Sequence, residues 1–253
     1  MPNTPISLYL DWQLWSAIIA VAALVLSQLP PVHLWFRPRR LEVEVHSRLQ
    51  LSHKVGNPNV GMYLSIRNTG GRDLRIKTTQ LSLIRDGIPV RTLPALTYFE
   101  APTSQSSIIF VPFSLKPDEA WAHVTNFVLL FDRATEKNYK ESEKALSFDI
   151  KSKILVRAID DKLAVIAEPH LVKPFFDIFE RLFIWEEGEY IIELKVDVEP
   201  GSASFTKKYR FTLHESDSRE LRSHKDDYPF GAGLSFNAER DTEILVRLVE
   251  HAG

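Results

Sequence analysis

Apolar and polar positions follow three regimes along this chain. The first is an uncharged run: no Lys, Arg, Asp or Glu occurs from Trp12 through Phe36, and Ala17 through Leu26 is wholly apolar. A helix crossing the hydrocarbon core of a bilayer needs roughly 20 apolar residues. Thr4 can cap such a helix, Pro5 fits its first turn, and Pro30-Pro31 cannot continue it. Trp12 and Trp15 at one end and Trp35 at the other suit the two membrane interfaces, with Asp11 near the first. The run therefore predicts an N-terminal single transmembrane anchor over residues 1–36. A cleavable signal peptide fits poorly, because the first residues lack Lys and Arg and no small-x-small site follows the apolar stretch.

The second regime is alternation, the period of a strand with one buried face. Leu41 to His46 alternates, and Arg48 to Ser52 continues in shifted form. Gly56-Asn57-Pro58-Asn59 reads as a turn, and Val60 to Asn68 as a strand closed by Thr69-Gly70-Gly71. Leu74 to Arg85 and Ile88 to Thr92 flank Asp86-Gly87, a strong hairpin signal. Ser107 to Leu115 carries Pro112, which makes it an edge or interrupted strand. Ala120 to Phe131 reads as a strand in preference to a helix. Further on, Gly188 to Val198 is answered across Pro200-Gly201 by Phe205 to Leu213, with Phe205, Tyr209, Phe211 and Leu213 as cross-strand partners. The tail from Glu215 is polar and turn-rich, closing on the apolar Ile244 to Val249.

The third regime lies between these blocks. Asp132 to Ile159 is rich in Lys, Glu and Ala, and Leu146, Ile150 and Ile154 recur four apart on a helical face. A second helical stretch begins at Lys173-Pro174, with Phe175, Phe176, Phe179, Leu182 and Phe183 on one side. It reads as a core helix under the sheet, with a membrane-surface or partner helix as the alternative.

Short strands separated by Gly, Pro, Asn and Asp predict a mainly β protein: an antiparallel β-sandwich domain over 37–253 with a helical insertion at about 132–185. The strand ending Ile66-Arg67-Asn68-Thr69-Gly70-Gly71, and Gly188 to Leu194 with its partner strand, resemble immunoglobulin-like domains used as binding modules. The resemblance covers a third of that domain and implies a sandwich fold, not a particular activity.

Charge orients the anchor. Arg37, Arg39 and Arg40 follow the apolar run, while its other flank holds no Lys or Arg. Positive flanks stay cytoplasmic. The expectation is a plasma or inner membrane protein with its N-terminus outside and its C-terminal domain in the cytoplasm. Ser16, Ala20, Ala23 and Ser27 share one face of the span, where small residues let a second helix approach. The expected partners are the lipid bilayer and a protein partner or second copy along that stripe.

Composition narrows the chemistry. The chain has no cysteine, which removes disulfides, thiolate nucleophiles and Cys-type zinc sites. A formal net charge of -2 without a basic stripe disfavours nucleic acid. The eight histidines form no metal-ligand spacing, although His46 and His53 could meet across a hairpin. Gly231-Ala232-Gly233 reads as a turn, and the doublets Asp160-Asp161, Glu186-Glu187 and Asp226-Asp227 as solvated turns, because neighbours on a strand face opposite ways. No catalytic residue, cofactor or metal ligand is assigned. The expected function is a membrane-anchored binding module. The alternative is an oligomeric membrane effector whose domain senses a signal while its helices perturb the bilayer, and a third class is a tethered enzyme on an unfamiliar scaffold.

Overall fold

Alternation along the strands becomes one face of a single, strongly curved antiparallel sheet. The computed structural model describes residues 12–28, 36–101, 103–104, 106–157, 164–234 and 243–251. Its strands are β1 (Leu41–Val45), β2 (Arg48–Lys54), β3 (Asn57–Asn68), β4 (Leu74–Arg85), β5 (Ile88–Phe99), β6 (Ile108–Ile109), β7 (Phe113–Leu115), β8 (Ala120–Val128), β9 (Gly188–Glu199), β10 (Phe205–Leu213), β11 (Ile244–Arg247) and β12 (Val249–Glu250). The helices are α1 (Trp12–Gln28), α2 (Arg133–Leu155), α3 (Pro169–Leu182) and α4 (Glu215–Ser223), followed by a 3-10 stretch, His224–Phe230.

The sheet runs β11-β2-β3-β8-β5-β4-β9-β10-β12. Two separate sandwich sheets were expected; instead β5 joins the halves, pairing β4 near the Asp86-Gly87 turn and β8 at its far end. Where β4 and β5 diverge, β6 pairs with β5 and β7 with β4, and the interruption predicted at Pro112 lies between them. β1 and β2 form two halves of one bent stave, both pairing with β3. The last segment nearly closes the ring. β11 pairs with β2, the Leu248 N–H donates to the Ser47 carbonyl (2.8 Å), and β12 pairs with β10. The architecture is thus mainly β, antiparallel and barrel-like.

Inside, alternate residues meet. Tyr190, Ile192, Leu194, Val196 and Val198 of β9 all point into the core, the period of two expected of a half-buried strand. Phe211 stacks on Tyr190 at 4.9 Å and 8°, as the predicted cross-strand pairing requires.

Three local readings need correction. The turn predicted over Gly56–Asn59 is shorter: β3 starts at Asn57, and only Val55 and Gly56 turn, with φ of 51° and 79°. A β-branched residue in that region is strained; Val55 accepts the conformation because its side chain is buried in the helical layer. The second helix starts at Pro169, not Lys173, and Pro174 lies inside it. Proline there cannot donate to the carbonyl of His170, an exposed residue. The turn-rich tail contains α4 and the 3-10 stretch.

α2 begins where Asp132 accepts from the N–H groups of Ala134 and Thr135. It buries Tyr139, Leu146 and Ile150, while Ile154 is exposed. α3 buries Val172, Phe175, Ile178 and Phe179 on one stripe. These side chains, with Val55 and Tyr228, make a second core beside the barrel. The predicted insertion thus narrows to a layer of two helices on one end of the barrel.

Among the described residues no helix is long and apolar enough to cross a membrane. The 17 residues of α1 span about 25 Å against a core of about 30 Å. Thr4, Pro5, Asp11, Pro30, Pro31 and Trp35 of the predicted anchor lie outside the described residues.

Candidate functional site

Among the described residues no ladder joins β10 to β11 across the seam of the barrel. Among the described residues β12 pairs with β10 at Tyr209 and Arg210, and no ladder joins Phe211 to Leu213 to β11. The result is a surface slot of about 680 Å³. β10 contributes Arg210 and Thr212, β11 contributes Leu245 and Arg247, and the start of α4 contributes His214 and Asp217.

The slot mixes charge. Arg247 lies directly across from Arg48 of β2, a like-charge pairing that costs stability without a counter-ion. Among the described residues neither Arg210 nor Arg247 pairs with a carboxylate. The acids nearby are engaged: Glu189 accepts from the Thr212 hydroxyl (2.5 Å), and Asp217 accepts from the His214 N–H (3.4 Å) in the capping box of α4. Two cationic forks lining one slot can hold a carboxylate or phosphate through bidentate hydrogen bonds.

The structure separates His46 from His53, the pair the sequence suggested. The ring of His46 accepts locally from the Arg48 N–H (3.2 Å). His53 turns instead to His224, with ring centroids 5.2 Å apart. Burial, the largest influence, lowers the His53 pKa from 6.5 to about 4; the hydrogen bond to Leu221 opposes this and the charge of His224 adds to it. Burial also raises the phenols of Tyr139 and Tyr228 in the same layer.

Of the carboxylate doublets, Glu186 pairs with Arg222, and Asp226-Asp227 lie in the 3-10 stretch. Asp160-Asp161 lie outside the described residues. Gly231 and Gly233 form a turn, both at positive φ (75° and 71°). Among the described residues no three His, Asp or Glu side chains are placed to hold a metal. On α1 the stripe of Ser16, Ala20, Ala23 and Ser27 is exposed, and the Ser27 hydroxyl donates to its own helix at Leu24 (2.7 Å). Neither the slot nor the His53–His224 contact is visible in sequence, because each joins strands and helices far apart in the chain.

The fold and slot define an antiparallel, barrel-like β domain carrying a two-helix layer, preceded by an exposed apolar helix. No protein-family model and no curated protein matches the chain. A solved structure described as a crystal structure of a protein from Archaeoglobus fulgidus aligns with 68% of this chain and 98% of its own, at 10% identity and a TM-score of 0.30. That likeness is too slight to carry an argument.

Proposed function

We propose that this protein is a single-pass membrane-anchored binding module, with its N-terminus outside, its β domain in the cytoplasm, and its ligand or partner held at the β10–β11 slot. The observation that carries the anchoring is α1. Trp12, Trp15, Ile18, Ile19, Leu24 and Leu26 are exposed around the helix, and a helix apolar on every face is stable only when something apolar surrounds it. On its C-terminal side the uncharged sequence continues through Phe36 and extends the run toward spanning length. Arg37, Arg39 and Arg40 set the orientation. The immunoglobulin-like resemblance enters as a class of use, a rigid β scaffold that presents its edges to a ligand, and no catalytic role is assigned.

A fusion of a cytoplasm-dependent fluorescent protein after Gly253 should glow, and alkaline phosphatase at the same place should be inactive. The reverse pattern, or full extraction of the protein from membranes by alkaline carbonate, ends this reading.

A second reading, the oligomeric membrane effector, draws on the small-residue stripe, whose exposed Ala20 and Ala23 leave room for a neighbouring helix.

A further inference from the structure

The barrel and the helical layer meet at the tip of the β2–β3 turn, and His53 stands at that junction. Its Nε2 lies 2.8 Å from the Leu221 carbonyl, which can only accept. Its Nδ1 lies 3.1 Å from the Gly56 N–H, which can only donate. Both backbone partners are satisfied by one species alone, the neutral ring protonated on Nε2. The ring is wedged edge-on against Phe179 (5.4 Å) and Phe183 (5.6 Å), with His224 at its side. Beyond it, Gly56 is seated so closely on α3 that an added Cβ would stand 2.6 Å from the Phe179 carbonyl oxygen.

Among the described residues, no carboxylate is hydrogen-bonded to the ring as a counter-ion for an added proton. On its own strand, Lys54 lies over Tyr139 (5.0 Å). From α4, Arg222 lies over Phe183 (4.6 Å), and from the 3-10 stretch Lys225 lies over Phe179 (5.2 Å). Glu180 of α3 is taken by Lys225 and Arg222, and Glu186 by Arg222. Asp226 and Asp227 sit in the 3-10 stretch beside Lys225, and no hydrogen bond joins either to His53. A proton on Nδ1 would face the Gly56 N–H donor, among cations, with a second imidazole 5.2 Å away.

We propose that His53, with His224 beside it, is an acid-operated latch: the neutral ring ties the helical layer to the barrel, and protonation releases the Val55-Gly56 tip from its seat on α3. This device stands on the geometry of the junction and is independent of what the slot binds.

The sign follows from linkage. A histidine whose folded pKa is lowered leaves stability intact above about 6.5 and removes it as pH falls toward about 4. The test uses the full chain in detergent micelles, with urea unfolding followed by tryptophan fluorescence; Trp185 reports locally, because its Nε1–H donates to the Ser52 carbonyl beside His53. His53→Gln keeps an amide donor for Leu221 but does not titrate. Between pH 7 and pH 4 the unfolding constant of the natural protein should rise on the order of a hundredfold more than that of His53→Gln. Equal pH dependence in the two proteins overturns the latch. If His53→Gln fails to fold, histidine NMR on the natural protein decides. A ring protonated on Nε2 that titrates near pH 4 supports the latch; a midpoint near 6.5, or the other tautomer, overturns it.

Discussion

Two turns in this barrel have nearly the same backbone and different surroundings, which makes them a matched pair for measurement. Val55-Gly56 turns at φ of 51° and 79°, and Asp86-Gly87 at 50° and 82°. Both glycines adopt the left-handed region that a two-residue hairpin loop requires. A Cβ on Gly87 would meet nothing within 4 Å, so Gly87→Ala bears only the backbone cost of about 1–2 kcal/mol. A Cβ on Gly56 would stand 2.6 Å from the Phe179 oxygen and 2.8 Å from its Cα, and backbone atoms inside a helix cannot step aside. Gly56→Ala therefore adds overpacking of about 1–3 kcal/mol. Lifting the turn also breaks the Gly56 N–H bond to His53, worth about 1 kcal/mol. The sum is about 3–6 kcal/mol, so Gly56→Ala should exceed Gly87→Ala by about 2–4 kcal/mol. At roughly 2–4 °C per kcal/mol for a domain of this size, the two melting temperatures should differ by about 4–16 °C. Urea and thermal unfolding of both variants at pH 7 read the difference directly. Equal losses would mean that the β2–β3 turn is not seated on α3, and the account of the junction would fail with it.

The slot and the anchor yield two further outcomes. Replacing Arg210 and Arg247 by Ser should weaken binding of pyrophosphate or a polyglutamate peptide at least tenfold by calorimetry, since charge-assisted hydrogen bonds contribute about 1.5–3 kcal/mol each; unchanged titrations would remove the slot as an anion site. Changing Ala20 and Ala23 to Leu should lower cross-linking between copies in native membranes, whereas Ile19 and Leu26 to Ala should change it little. Identical behaviour of the two pairs would reduce α1 to a tether and leave the effector reading without its support.

The sequence by itself determined what depends on near neighbours. Alternation placed β9 and β10, because each residue's inward or outward face follows from the strand period alone. Asp86-Gly87 and Pro112 marked a turn and a break through their own backbone preferences. Where tertiary packing outweighed local preference, the reading slipped. Val55 took a conformation that valine disfavours because its side chain is buried in the second core, so the turn sat one residue earlier than its Gly-Asn-Pro-Asn signature implied. Pro174 continued a helix whose stripe of Phe175, Ile178 and Phe179 was already held by the barrel end and α2. Only the tertiary structure decided that two expected sheets are one, since closure rests on Leu248 bridging from Ser47 to the β12–β10 pairing at Arg210 and Val249. The same holds for the candidate sites. His53 meets Leu221 across 168 residues of chain, and Arg210 and Arg247 line one slot only because two strands that share no ladder end at one seam. No local pattern encodes such meetings, because the free energy that brings those residues together belongs to the burial of the whole core and not to the residues themselves.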